Sequence, residues 1–334
     1  MSTAHATTRA VTRPRPAFDL FEGFMESHVL AALEMAGALS ALEAEGARPD
    51  ATTERGALLA ASLRYLEHRG LVEEEDGTYV LTERGRSVCA DKGYLVWLVG
   101  GYGESLRHLE AFLAGRERYG VDMERDGRWV AGGAALIGRS DVVPAALGLL
   151  ETISFRRALD LGCGNARFLV EVCRRFGCDG LGVDISPEAC AEAVKRVEEA
   201  GMSDRVQIVC ADANDVAAIP EVEETDLVIA FFLLHEISSI ARESIVRFLS
   251  DLARRLPPRA HLLVAEVSPA SADAEEHELF TPEFDFVHAV MRQSLLSRDA
   301  WRDVLSEGGF VVREIADTTM PGAMVILAET EAAA

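Results

Sequence analysis

The stretch Arg157-Ala158-Leu159-Asp160-Leu161-Gly162-Cys163-Gly164-Asn165-Ala166 decides how this chain is read. Its first half is a short apolar run of strand length. Its second half is a glycine turn, and Arg167 to Arg175 then reads as a helix. Such a turn lets backbone approach a ligand closely and presents amides at a helix N-terminus. Outward from it the alternation continues. Strands are expected at Gly180 to Asp184, Val206 to Cys210, Asp226 to Phe232 and His261 to Val267, with a helix over Pro187 to Ala200. A helix over Arg298 to Glu307 is followed by strands at Phe310 to Ile315 and Ala323 to Ala328. A turn near Met320-Pro321-Gly322 joins that closing pair, which allows an antiparallel last strand. The pattern predicts an α/β fold with a doubly wound, mostly parallel, seven-stranded sheet.

Ligands of such sheets sit at the carboxyl ends of the strands. Asp184 ends the second strand, 20 residues after Gly164, where a carboxylate can accept both hydroxyls of a ribose. Asp212-Ala213 follows the third strand and His235 the fourth. A dinucleotide is the competing ligand. It asks for Gly-x-Gly-x-x-Gly, and Arg167 stands where the third glycine belongs, crowding a pyrophosphate. Asp160 also suits a ligand bearing an ammonium better than one bearing phosphates.

Leu159-Asp160-Leu161-Gly162-Cys163-Gly164, with Asp184 and Asp212, resembles the motifs of class I S-adenosylmethionine-dependent methyltransferases. The resemblance covers about Phe155 to Glu329 and implies a Rossmann-like methyltransferase domain. It implies that Asp160, Gly162 and Gly164 hold the methionine part of S-adenosylmethionine and Asp184 the ribose. Asp212 and Ala213 would hold the adenine, and Ile185 joins the cofactor-binding residues. Ala166 departs from the third glycine of many members. Related O-methyltransferases carry Leu-His-Asp-Trp after strand four, with the His as general base; here the run is Leu234-His235-Glu236-Ile237.

A narrower resemblance, over the segment from His235 to His288 and the Trp97 region, is to bacterial α-keto-acid β-C-methyltransferases of peptide antibiotic biosynthesis. It implies a non-haem iron, or zinc or another divalent metal, on His235 and His288. It also implies an α-keto acid of the phenylpyruvate or 4-methyl-2-oxovalerate type, methylated through a metal-stabilised enolate. Arg125, with Arg128 second, would bind the carboxylate, and Trp97, Phe232 and Phe280 would line the side-chain pocket. From spacing alone, the 53 residues between the two histidines are not diagnostic of a metal. Glu236, His277 and Asp285 are open candidates for the base that removes the β-proton. The alternative is a metal-independent O-methyltransferase with His235 as general base.

The remaining chain is expected to be a tail (1–16), a helical winged-helix-like dimerisation domain (17–92), a helical linker contributing to the substrate pocket (93–150) and the methyltransferase domain (151–334) with an insertion at 269–297. Apolar residues recur at helical spacing from Phe18 to Leu42, and a second helical run spans Leu58 to Glu67. Leu71-Val72, Glu75-Asp76-Gly77 and Thr78 to Thr82 read as a β-hairpin. The hairpin carries Glu73, Glu74, Glu75 and Asp76, which would face phosphates on DNA. A ligand-sensing DNA binder is therefore disfavoured. The linker's aromatics and its Arg116, Arg118, Arg125 and Arg128 suit either an active-site roof or packing with solvated charges.

Composition agrees. Hydrophobic residues are 49% and charged residues 26%, as in a globular protein. Lys plus Arg is 33 against 55 Asp plus Glu, so a net charge of -22 repels nucleic acid and anionic membranes. No apolar run reaches the roughly 18 consecutive residues of a membrane span. Met1 to Pro16 lacks the apolar core of a secretory signal. The six cysteines contain no CxxC pair and read as buried thiols in a cytoplasmic protein. The expected partners are a small-molecule α-keto acid and a second copy of the chain, with no nucleic acid and no membrane.

Overall fold

Seven strands build the sheet on which the glycine turn sits. The structure, a computed structural model, describes residues 15–237, 242–269 and 279–331. The chain divides into two units. The first holds residues through Glu104 with Arg125–Gly133, and the second holds Ser105–Glu124 with everything from Ala134 onward. Residues 93–150 are thus shared between them.

In the first unit a helix spans Pro16–Met35, opened by a proline whose missing N–H costs nothing there. Gly37, at φ +73°, breaks the continuous helix expected from Phe18 to Leu42, and a second helix spans Ala38–Glu45. The helix Glu54–His68 is capped by Thr53, whose hydroxyl accepts from Gly56 N at 3.0 Å. Strands β1 (Val72–Glu75) and β2 (Thr78–Leu81) pair antiparallel, with Val72 opposite Leu81. Asp76 and Gly77 both take positive φ, the requirement of the tight turn between them. Ala47 bridges to Tyr79 on the outer side of β2. Leu30, Leu39, Leu63, Leu66 and Leu71 form the core. Leu20, Phe21 and Phe24 on the first helix are 74%, 63% and 59% exposed. Among the described residues, nothing in one chain covers that end of the helix.

In the second unit the strands are β3 (Arg157–Leu161), β4 (Asp179–Asp184), β5 (Val206–Cys210), β6 (Leu227–Phe231), β7 (His261–Val267), β8 (Phe310–Asp317) and β9 (Ala323–Thr330). Their order is β5-β4-β3-β6-β7-β9-β8, with β9 antiparallel to both neighbours and the rest parallel. A parallel sheet covered on both faces needs apolar strands throughout. Every residue of β6 except Phe231 is buried, as are all of β7 after His261. The chain leaves β3 to one side for β4 and β5, then crosses to the other for β6. That reversal opens a crevice at the strands' carboxyl ends.

Gly127–Leu150 is a helical run of 24 residues, long and apolar enough to cross a membrane by length and composition alone. It carries Arg139 and Asp141, and Thr319 Oγ1 donates to Asp141 Oδ1 at 2.8 Å. Val142, Ala146, Leu149 and Leu150 give its second half a buried face. Five cysteines are buried; Cys210 is exposed, against expectation.

Candidate active site

The glycine turn is pinned to β4: Gly162 N and Cys163 N both donate to Val183 O, at 2.8 and 3.0 Å. Gly162 and Gly164 have φ of +73° and +52°, which their residue type permits. Ala166 takes φ +54° at the start of the helix Arg167–Phe176, a conformation its methyl makes costly. Asp184 closes the crevice. Its Oδ2 accepts from Gly164 N at 2.8 Å and its Oδ1 from Ser186 N at 2.9 Å, and a carboxylate has lone pairs left for hydroxyls. Asp160 is buried in β3. Burial, and then the charge of Asp184, push its pKa up to about 8. Ile185 is 68% exposed beside Asp184. Asp212 is exposed, with Oδ1 accepting from Asn214 N at 2.9 Å, while Ala213 is buried. The predicted cofactor residues thus share one sheet edge.

His235 lies in the helical turn Leu234–Ile237 that follows β6, and His288 lies in the helix Thr281–Val290. Both are buried. Their ring centroids are 5.1 Å apart, with planes at 77°. Each ring is fixed through Nδ1. His235 Nδ1–H donates to Glu266 Oε2 at 2.7 Å, and His288 Nδ1–H donates to Phe284 O at 2.6 Å. A carbonyl and a carboxylate only accept, so each Nδ1 keeps its proton, and Nε2 is the atom through which either ring would meet a metal. Glu266, on β7, is fully buried, and its Oε1 also accepts from Leu234 N at 2.9 Å. Burial alone would lower the His235 pKa. The charge of Glu266 and hydrogen bonds to Glu236 and Glu266 outweigh it and push it up to about 10.

Around the pair, Phe284 stacks on His288 at 4.1 Å and Phe280 tilts against Phe284 at 5.8 Å. Phe280 and Phe232 hold φ of +63° and +53°, sparsely populated values for bulky side chains. Glu236 Oε1 lies 3.7 Å from His235 Nε2. Asp285 lines an open cleft of about 550 Å³ with Phe286, Ala289 and Gln293. His277, the remaining candidate base, lies outside the described residues, as does most of the first part of the 269–297 insertion. Trp97 and Arg125 belong to the first unit, where they converge on one phenol. Trp97 packs on Tyr102 at 4.5 Å, and Arg125 Nη1 donates to Tyr102 Oη at 3.2 Å. Arg128 covers the Trp129 ring at 4.7 Å.

Sequence reasoning missed Glu266, Phe284 and Gln293. Phe280, Phe284 and His288 recur at i, i+4, so the aromatic face was legible. Glu266 is a lone carboxylate in an otherwise apolar strand, a residue that must find a partner when buried. Among the described residues, no group of three or more His, Cys, Asp and Glu side chains could hold a metal. His235 and His288 fit one as a two-nitrogen donor set: both are oriented through Nδ1, the arrangement common to metal-ligating imidazoles.

A methyltransferase-domain family model matches residues 158–259. The chain is 29% identical to the indolepyruvate C-methyltransferase of Streptomyces griseus over 312 residues, covering 90% of this chain and 91% of that one. Its fold is similar to that of LaPhzM, with a TM-score of 0.68 at 18% identity, covering 94% and 98% of the two chains. It is also similar to the S-adenosylhomocysteine-bound calicheamicin-biosynthesis methyltransferase CalO1, with a TM-score of 0.59 at 18% identity, covering 96% and 100%. With the glycine turn, the acidic strand ends and the sheet order, the match at residues 158–259 makes this region a methyltransferase domain, and the chain as a whole is similar to S-adenosylmethionine-dependent methyltransferases.

Proposed function

We propose that the chain transfers a methyl group from S-adenosylmethionine to the β-carbon of an α-keto acid, with a divalent metal such as iron or zinc on His235 and His288. The acceptor class is an arylpyruvate or a branched aliphatic relative, in antibiotic biosynthesis. The observation that carries this reading is the buried imidazole pair, 5.1 Å between centroids, with each Nδ1 committed to an acceptor. The Streptomyces relative supports the acceptor class, since its name joins an arylpyruvate to C-methylation.

When bound, the metal supplies a Lewis acid that makes the β-C–H of the keto acid acidic. The chain does the rest. Glu266 and the Phe284 carbonyl hold the two rings so that their Nε2 atoms serve as donors. Glu236 is our candidate acceptor for the β-proton. The resulting carbanion attacks the sulfonium methyl in line. A C–C bond forms, the S–CH3 bond breaks, and its electron pair stays on sulfur, giving a neutral thioether. Phe280 and Phe284 keep water from the histidines and offer apolar surface to the acceptor side chain.

The Glu266 contact would orient His235 equally well as the general base of a metal-independent O-methyltransferase, so metal content is what separates the two readings. The exposed Leu20, Phe21 and Phe24 support a further proposal, that a second copy of the chain covers this face. Sedimentation of a Phe21→Glu variant tests it by looking for monomer.

Elemental analysis of untagged protein tests the main reading, paired with labelled S-adenosylmethionine and a panel of phenylpyruvate, indolepyruvate and 4-methyl-2-oxovalerate. The expected result is about one metal per chain, lost together with methyl transfer in His288→Ala. Wild type that takes up no metal after ferrous or zinc supplementation overturns it.

A further inference from the structure

Gln293 follows Arg292, a non-glycine residue at φ +61°. That turn folds the chain back at the end of the helix Thr281–Val290, and Gln293 N donates to His288 O at 2.9 Å. The side chain reaches the other histidine's segment. Gln293 Nε2 donates to Glu236 Oε2 at 2.7 Å, while Glu236 Oε1 lies 3.7 Å from His235 Nε2. One residue therefore ties the backbone carrying His288 to the carboxylate beside His235. Among the described residues, Gln293 Oε1 is buried with no hydrogen-bond donor. A buried acceptor left so is costly, and a leucine there would avoid the cost. The bonded part of the amide is its donor end, and that end serves Glu236.

We propose that Gln293 is a positioning residue that locks the Glu236 carboxylate beside the His235 imidazole and so sets the geometry of the methyl acceptor. This rests on the two-histidine reading above. Glu236 keeps 32% of its side chain exposed, and the Gln293 amide holds its Oε2. With Oε2 held, Oε1 is the oxygen left facing His235.

A double-mutant cycle tests this, using Gln293→Leu, Glu236→Ala and the double variant, with Gln293→Met as a second apolar replacement. The readouts are kcat and KM for phenylpyruvate and the visible absorption of cobalt(II)-loaded protein. We expect Gln293→Leu and Gln293→Met to lower kcat about 10–100-fold and to shift the cobalt bands, with KM for S-adenosylmethionine unchanged. In the Glu236→Ala background Gln293→Leu should cost nothing further. Circular dichroism and S-adenosylmethionine binding verify that each variant is folded. Additive losses, or wild-type kcat in both Gln293 variants, overturn the proposal. Wild type that binds no cobalt and methylates no arylpyruvate instead fails the two-histidine reading, and the role of Gln293 falls with it.

Discussion

Glu266 Oε2 lies 2.7 Å from His235 Nδ1, and the carboxylate is fully buried. The same side chain accepts from Leu234 N at 2.9 Å and His235 N at 3.3 Å through Oε1. It therefore sets both the backbone turn after β6 and the tautomer of the ring. Glu266→Gln keeps the shape but turns an N–H2 toward Nδ1–H. The ring must then give up its Nδ1 proton and carry it on Nε2, where the metal would bind. We expect metal affinity and kcat to fall about 10–100-fold with the fold intact. Titration of zinc into the metal-free variant, with circular dichroism as control, checks it. Unchanged zinc affinity would count against Glu266 as the orienting group.

The same contact gives the metal-free protein a pH-dependent stability. The folded His235 pKa is raised, from 6.5 to about 10. A raised basic group stabilises the fold fully below its unfolded pKa, and that contribution is lost as pH rises through the folded one. The urea midpoint of metal-free protein should thus decline between about pH 6.5 and 10. Replacing the charge with Glu266→Gln should flatten the decline. A wild-type midpoint that is constant over this window would contradict the assignment.

The sheet, and the meeting of the glycine turn with Asp184 at its edge, were legible because they follow from short-range rules. An apolar strand, two glycines at positive φ and a carboxylate 20 residues on leave few alternatives. The His235 and His288 assignment came only through resemblance, because the 53 residues between them erase any spacing signal. Glu266 and Gln293 matter through what they touch across the fold, Glu266 from β7 to the turn after β6 and Gln293 from beyond one helix to another. No local pattern encodes such contacts. The break at Gly37 was a local signal passed over: a glycine inside an apolar helical run, free to take φ +73°. Trp97 and Arg125 were singled out through resemblance, and Tyr102, which joins them, was read only as one more linker aromatic.

As the proposed partner of the cofactor's ammonium, Asp160 is expected to make cofactor binding pH-dependent. Its pKa of about 8 leaves it mostly protonated at neutral pH, and the cofactor's ammonium is best met by the ionised form. Binding at pH 7 should release a proton. Affinity should rise up to about pH 8, above which the ligand's own α-amino group, near 7.7–8.0, loses its charge. Calorimetry from pH 6 to 9 in buffers of different ionisation enthalpy should show a maximum near 8. Asp160→Asn should lose the low-pH limb and the proton release. A flat profile in wild type would place the ammonium elsewhere.

Gly182, in β4 directly beneath the glycine turn, carries the last prediction. A Cβ there would come within 2.8 Å of both Cys163 Sγ and Ile208 Cδ1, and within 3.2 Å of Leu169 Cδ2. All three neighbours are side-chain atoms, so the site can yield, at Cys163 either by turning its Sγ or by moving the turn that contains Gly164. Overpacking of this kind costs about 1–3 kcal/mol. Gly182→Ala should therefore lower unfolding stability by that amount and weaken S-adenosylmethionine binding as well, because the displaced backbone is the part proposed to meet the methionine moiety. Denaturant unfolding and calorimetry on the same preparation separate the two effects. Lost stability with unchanged cofactor affinity would mean that Ile208 and Leu169 absorb the methyl and that the turn is stiffer than its glycines imply.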